Sequence, residues 1–219
     1  MTQVFMHEIE RLKKQILALS AQVEENVILA VKALRERDET LARQVEESDA
    51  QIDAAEVDVE EEALKILALY QPVAMDLRFL ASVLKINNDL ERIGDLAANI
   101  AKRARKMCSF PVLPVPEELH QMACHARDMV RDSLNAFVNL DDDLAASVCK
   151  QDETVDQLCK QIFSFVEEQG KANPDNIKYY LHMMTASRNL ERIGDHTTNI
   201  AEDVMYLVRG VIVRHGLTE

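Results

Sequence analysis

Glycine and proline are both scarce in this chain, with 5 of each among 219 residues. An average protein contains about 7% glycine and 5% proline. All-β folds and glycine-rich phosphate-binding loops need more turn residues than this. The shortage therefore argues against both and favours long helices with few connections.

Excess positive charge and long apolar runs are also missing. The chain has 25 Lys and Arg against 38 Asp and Glu, a formal net charge of −13, which argues against binding to nucleic acid or to an anionic membrane. No apolar run reaches the ~18 residues of a membrane-spanning helix, and the first 20 residues have no signal-peptide pattern. We therefore expect a cytoplasmic protein that does not span a membrane, with its four cysteines reduced because none is in a C-x-x-C pair.

Apolar residues recur every three or four positions along most of the chain, a period that predicts helices. The first stripe runs from Ile9 to Leu34. A second helix follows the predicted N-cap Asp38 and extends to Tyr70. The remaining predictions are a third helix with Pro72 in its first turn and its end near Lys106, a fourth over 117–139, a fifth opened by Asp141 and stopping before Gly170, and a sixth from the N-cap pair Asn173-Pro174 to about Val208.

The chain contains an internal repeat. Residues 89–101 and 189–201 are identical at nine of thirteen positions, and both contain LERIGD. Residues 109–116 hold three of the five prolines and form the one credible linker. We therefore predict an all-α fold of two tandem three-helix bundles related by duplication, with domains 1–108 and 117–219 joined by the linker 109–116.

Acidic residues spaced four apart recur in both copies, and that spacing places them on one helix face. Like charges so placed destabilise a helix by about 0.2–0.5 kcal/mol per pair, and Gly94 and Gly194 inside the helices cost roughly 1 kcal/mol each. A bound hard cation (Mg²⁺, Ca²⁺, Mn²⁺ or ferric iron) would offset the repulsion. The alternative is that these acids are solvated surface residues. The candidate metal ligands are Asp49, Asp53, Glu91, Asp95, Asp152, Asp156, Glu191 and Asp195, with Asn199 and Asp203 extending the last row.

Nothing in the sequence argues for catalysis. No Ser-His-Asp spacing, G-x-S-x-G motif or P-loop is present, so we expect no catalytic residue and no organic cofactor. Glu117 and His120 match a short di-iron motif but lie beside Pro116, where acidic residues commonly begin a helix. His196 follows Asp195 but is rotated by about 100° from it on a helix, so it need not face the same site.

The repeated pattern L-E-R-I-G-D-x-x-x-N-I-A, about 100 residues apart in an acidic all-helical chain, closely resembles the PhoU family of phosphate-uptake regulators. The resemblance covers essentially the whole chain. It implies a non-catalytic cytoplasmic adaptor between a phosphate ABC transporter, through its ATPase subunit, and a membrane sensor histidine kinase. Such an adaptor helps to repress the phosphate-starvation response when phosphate is plentiful. Dimerisation is a further expectation from the family.

The resemblance also implies multinuclear metal clusters on the paired acidic motifs, with iron, zinc, manganese or magnesium as candidates. The first copy departs from the second, since Leu96, Lys102 and Arg103 stand where the second copy has His196, Glu202 and Asp203. We therefore expect the first site to hold metal less well. The alternatives are a helix-bundle carboxylate metal-binding protein or enzyme, and a regulator of a different transporter.

Overall fold

The computed structural model describes residues 3–212, and within that range it contains helices and no strands. The helices are α1 (Gln3–Glu36), α2 (Glu39–Tyr70), α3 (Ala74–Cys108), α4 (Glu117–Asn139), α5 (Asp142–Ala172) and α6 (Ile177–Arg209), with a 3₁₀ turn at Pro174–Asn176. The predicted order of three helices, a linker and three helices is confirmed. The longest helices, of 34 or 35 residues, extend for roughly 50 Å.

The six helices form two layers. α1 packs against α2, α3 and α4, while α4 packs against α1, α5 and α6. α3 and α6 pack against each other along the middle of the molecule, with α2 outside α3 and α5 outside α6. One layer therefore has the order α2, α3, α6, α5, and α1 and α4 lie together on one side of it.

The core follows the predicted apolar stripes. Leu12, Ile16 and Val23 of α1 are fully buried, and the second unit buries Tyr179, Tyr180 and Met183 at the start of α6 to the same degree. Fully burying one large aliphatic side chain contributes about 1.5–3 kcal/mol, so this core fixes which face of each helix remains free for other contacts.

Two predicted N-caps are confirmed. The Asp38 carboxylate accepts hydrogen bonds from the backbone N–H groups of Thr40 and Leu41 at 2.8 and 3.0 Å, and Asp141 accepts one from Leu144 at 2.9 Å. Each carboxylate satisfies N–H groups that have no partner inside the helix.

Three predicted helix ends are wrong. Pro72 precedes α3, because Val73 is extended (φ −128°, ψ 163°) and a helix cannot pass through it. α5 continues past Gly170. Ile177 packs closely against this glycine, since a Cβ added to Gly170 would lie only 2.8 Å from Cδ1 of Ile177. Pro174 begins the short 3₁₀ turn, so α6 starts only at Ile177, and Asn173 makes no side-chain cap bond.

The linker after α3 is held by an arginine. Arg37, which follows α1, donates to the backbone carbonyls of Met107, Phe110 and Pro111 at 2.8, 2.6 and 3.1 Å. These bonds tie the end of the first helix to the chain that leaves the third. The four cysteines are free thiols in the structure.

Candidate metal-binding carboxylate clusters

The four predicted acids of the first copy come together between α2 and α3. The pKa of Asp49 is raised first by burial and then by the nearby charges of Asp95 and Asp53. The pKa of Glu91 is also raised by burial, with further contributions from Asp95 and Asp53. The acids of the two helices therefore act on one another. We call these four residues the first cluster.

Arg92 partly neutralises the first cluster. Its Nε lies 3.3 Å from Oε2 of Glu91, and its Nη1 lies 3.6 Å from Oδ2 of Asp95. The guanidinium lowers the pKa of Glu91, against the effect of burial. Lys102 lowers the pKa of Asp49 in the same way.

The second copy repeats the arrangement between α5 and α6 with Asp152, Asp156, Glu191 and Asp195, which we call the second cluster. The pKa of Asp152 is raised from its usual 3.8 to about 6, first by burial and then by the charges of Asp156, Asp195 and Glu191. The pKa of Asp195 is raised first by desolvation and then by Glu191 and Asp156. The four acids of the second copy therefore also act on one another across the two helices.

The two clusters share one unusual feature at duplicated positions. Oδ1 of Asp49 and Oδ1 of Asp152 are both buried, and neither has a hydrogen-bond partner. A buried acceptor without a partner costs about 1–3 kcal/mol, and more when it is charged. Each cluster thus contains a carboxylate oxygen to which no donor among residues 3–212 is bonded.

The glycines inside the two helices allow a neighbouring helix to approach closely. A Cβ on Gly194 would lie 2.8 Å from Oδ1 of Asp152, and a Cβ on Gly94 would lie 3.1 Å from Cγ2 of Ile52. Real Cβ atoms essentially never come within 3.0 Å of another heavy atom. Gly194 therefore makes room for the buried carboxylate, whereas Gly94 makes room for an apolar side chain.

Glu191 has two further neighbours in the second cluster. The Cys159 thiol lies 3.6 Å from its Oε2, and Nη1 of Arg188 lies 3.3 Å from the same oxygen. Burial, together with the charge of Glu191, raises the pKa of Cys159 to about 11. Cys159 is therefore a neutral thiol at pH 7.

Asn199 and Asp203 are placed elsewhere. Nδ2 of Asn199 donates to Oδ1 of Asp89 on α3 at 3.3 Å, and Asp203 forms an ion pair with Lys85 of α3. His196 also contacts Asp89, at 2.7 Å between Nδ1 and Oδ1. The structure does not bring Asn199 or Asp203 to the acids of α5.

The polar contacts between α3 and α6 were missed from the sequence. Asp89 and His196 are 107 positions apart, and neither has a like residue in the other copy, where Asn189 and Leu96 stand. The only signal was this difference between the copies at two positions of an otherwise well-matched repeat.

The donor set of the two clusters fits a hard cation, since it consists of carboxylate oxygens that include two buried ones without partners. Within residues 3–212, no three His, Cys, Asp or Glu side chains are grouped so that they could hold an ion as they stand. The carboxylates would have to move closer together to share one. In the same range no helix is long and apolar enough to cross a membrane.

Comparisons with known proteins agree along nearly the whole chain. The PhoU domain family model matches residues 16–104 and again 119–204. The phosphate-specific transport system accessory protein PhoU homolog of Pseudomonas putida is 44% identical over 215 residues, which cover 98% of this chain and 84% of that protein. The homolog of Pseudomonas aeruginosa is 43% identical over 219 residues, covering 99% and 90%.

Two crystal structures share the fold. PhoU from Pseudomonas aeruginosa aligns with a TM-score of 0.92 at 42% identity, covering 94% of this chain and 100% of that one. The phosphate transport system regulatory protein PhoU from Streptococcus pneumoniae aligns with a TM-score of 0.85 at 30% identity, covering 96% and 100%.

Proposed function

The chain belongs to the PhoU family, a family of accessory proteins rather than catalytic enzymes, and from this we propose that it regulates phosphate uptake and phosphate-starvation signalling without catalysing a reaction. The observation that carries the proposal is the match over 99% of the chain to a protein named as an accessory of the phosphate-specific transport system.

The proposed partners are the ATPase subunit of the phosphate ABC transporter and a membrane sensor histidine kinase. A protein without a catalytic step can transmit a signal only if it binds one conformational state of a partner more tightly than another. The layer formed by α2, α3, α6 and α5 supports such a role, because its long helices offer a broad face away from α1 and α4.

A reporter of the phosphate-starvation response in a strain that lacks the gene tests the regulatory proposal. We expect the reporter to be active in high phosphate and to be repressed again when the gene is restored. Unchanged repression in the deletion strain would contradict the proposal.

Affinity purification tests the partners separately from the regulation. The tagged chain is expected to retain the ATPase subunit and the kinase, and to retain at least one of them differently in high and low phosphate. If regulation is lost on deletion but the kinase is never retained, the chain acts through the transporter alone and the proposed kinase contact is wrong.

We further propose that the two clusters bind hard cations in the cell. The acids that would hold them are Asp49, Asp53, Glu91 and Asp95 in the first copy and Asp152, Asp156, Glu191 and Asp195 in the second. A cation there would neutralise the mutual repulsion that raises the pKa of Asp152 and Asp195. Elemental analysis after purification without chelator identifies the metal and its amount.

A matched pair of variants tests whether the clusters hold the metal. Glu191→Ala/Asp195→Ala removes two acids of the second cluster, and Glu60→Ala/Glu61→Ala removes the same charge from an exposed stretch of α2. Only the first variant should lose bound metal. Equal metal content in both variants would contradict metal binding at the second cluster. A separate assay of regulation by the Glu191→Ala/Asp195→Ala protein shows whether signalling needs that metal.

The same proposal places the protein in the cytoplasm as a homodimer, where it can reach an ATPase subunit and a kinase domain. Sedimentation equilibrium of the purified chain tests the dimer, for which the expected mass is twice the 24.8 kDa of one chain. A single species of one chain mass at micromolar concentration would contradict it.

A further inference from the structure

The contact between α3 and α6 has two equivalent ends. The two helices run antiparallel, since Ser82 and Lys85 of α3 contact Asp203, while Asp89 contacts His196 and Asn199. The repeat relates each residue of α3 to the residue 100 positions later in α6. Two positions that meet at one end of the helix pair therefore have equivalent positions at the other end, where the α3 position of one corresponds to the α6 position of the other.

The end near Asp203 contains a cavity of about 510 Å³, which we call the first groove. Its polar side chains are engaged with one another. Lys85 pairs with Asp203, Asn199 donates to Asp89, and Ser82 donates to the backbone carbonyl of Asp203 at 3.4 Å. The acids of the first groove thus find their counter-charges and donors inside the protein.

An offset of 100 defines the second groove at the other end of the helix pair. Arg103 replaces Asp203, Lys102 replaces Glu202, and Asn189 replaces Asp89. Every acid of the first groove is therefore replaced by a cation or an amide. We define the second groove by the residues at these equivalent positions together with His182, which Arg103 faces: Asn99, Lys102, Arg103, His182, Thr185 and Asn189.

Three side chains of the second groove have unused donors, whereas the Thr185 hydroxyl donates to the backbone carbonyl of Leu181 at 2.7 Å. Asn99, Arg103 and Asn189 make no side-chain hydrogen bond and no ion pair within the described part of the chain, and Nε of Arg103 is buried without a partner. Their equivalents Asn199, Asp203 and Asp89 all have partners. Asn199 donates to Asp89 and Asp203 pairs with Lys85, and all four line one cavity. The repeat therefore places Asn99 opposite Asn189 and Arg103 opposite Thr185, and Arg103 lies near enough to His182 to lower the pKa of its ring.

Positive charge dominates around these donors. The pKa of His182 is lowered first by burial and then by the charges of Arg103 and Lys106, so the ring is neutral at pH 7 and keeps one N–H to donate. Lys102 lies near Asp49, and Nε of Arg103 has no acidic hydrogen-bond partner within residues 3–212.

The surroundings limit the size of a ligand. The first cluster lies on one flank, where Lys102 lowers the pKa of Asp49, and the second lies on the other, where Glu191 contacts Arg188 beside Asn189. An extended polyanion along this face would meet both acidic clusters, on a chain with a net charge of −13. A small anion that stays between them would not.

We propose that the second groove binds a small tetrahedral oxyanion of the phosphate or sulfate class, with Arg103, Asn99 and Asn189 as its main donors. Guanidinium and amide N–H groups are suited to several oxygens of one such ion. The proposal does not depend on the regulatory function or on the metal clusters.

Isothermal titration of the full chain with inorganic phosphate, and separately with sulfate, in a chloride buffer tests the site. We expect saturable binding of one ion per chain. Arg103→Gln should weaken it by about 10-fold to 100-fold, the range for one charge-assisted hydrogen bond. Arg43→Gln is the matched control, because it removes the same charge from an exposed pair with Glu39 on α2, and it should leave the affinity unchanged.

A second measurement does not rely on the variants. The ring resonances of His182 should shift during the phosphate titration of the wild-type chain, with the same midpoint as the heat signal. Titration with glycerol 3-phosphate identifies the source of the ion. Binding as tight as that of inorganic phosphate assigns the groove to a phosphoryl group on a larger molecule, and much weaker binding assigns it to the free ion.

The proposal is overturned if neither phosphate nor sulfate shows saturable binding at concentrations up to about 10 mM. It is equally overturned if Arg43→Gln and Arg103→Gln weaken binding alike, or if the His182 resonances stay unchanged while binding saturates.

Discussion

Replacing Asp152 with asparagine should stabilise the metal-free protein at neutral pH. The folded state raises the pKa of this carboxyl from 3.8 to about 6, so the folded chain binds the proton more tightly than the unfolded chain does. Stability contributed by the protonated form is complete below pH 3.8 and is lost as the pH rises through about 6. Asparagine has nearly the same shape and no charge to lose.

The size of the effect follows from the same shift. A change from 3.8 to about 6 corresponds to about 3 kcal/mol of free energy. The side chain is partly exposed, and screening by solvent reduces this to about 1–2 kcal/mol. For a chain of this length the melting temperature should rise by about 2–8 °C.

Calorimetric melting in chelator between pH 4 and pH 8 measures the prediction. Asp152→Asn should match the wild type near pH 4 and exceed it increasingly up to about pH 7. Asp58→Asn is the control, because it removes one charge from an exposed position of α2, and it should show no such pH dependence. An Asp152→Asn protein that is no more stable than the wild type at pH 7.5 would refute the reasoning.

A divalent cation should reverse the order of stability. If the second cluster binds the ion, the wild type gains stability with ion concentration through mass action. The Asp152→Asn variant gains less, because one charged ligand is missing. Without the ion the variant should melt at the higher temperature, and with enough ion the wild type should. The first difference measures the cost of the buried charge, and the second measures its contribution to binding the ion.

Three further measurements test other parts of the structure. Asp38→Ala removes the N-cap of α2 and should cost about 1 kcal/mol, seen as a lower midpoint in urea unfolding with an unchanged slope. Arg37→Ala removes three bonds to linker carbonyls and should cost about 2–3 kcal/mol, with faster proteolysis at residues 109–116; equal cleavage of both proteins would contradict this. At pH 8 iodoacetamide should modify Cys149 and Cys159 slowly, since burial and nearby acids raise both pKa values to about 11. Mass spectrometry compares the rates of modification in the native and the guanidinium-unfolded chain, and equal rates would refute this.

Much of the fold could be predicted because local sequence and tertiary packing agree. The second helix ends at Tyr70 as predicted, and the fourth covers 117–139 as predicted. Both have strong apolar periodicity, and the second also has a capping side chain. One of the wrong helix ends lies where two elements meet. Gly170 lies inside α5, where Ile177 at the start of α6 packs against it, and no local rule contains that contact.

The candidate site shows the same division. The convergence of Asp152 with Glu191 followed from a repeat that places acid pairs on adjacent helices, which is a property of one copy. The contact of Asp89 with His196 joins one copy to the other, so it depends on how the two bundles pack together. Periodicity within a copy contains no information about that packing.

The packing also refines the expected difference between the two clusters. Lys102 and Arg103 both stand where the second copy has acids, and both were expected to weaken a cation at the first cluster. Lys102 does act on Asp49, but Arg103 lies beside His182 in the second groove. Only one of the two charges therefore acts directly on the first cluster, where Arg92 adds a further positive charge. Arg103 instead lies at the contact between the two copies. The adjacent substitutions at 102 and 103 therefore change two different surfaces of the protein.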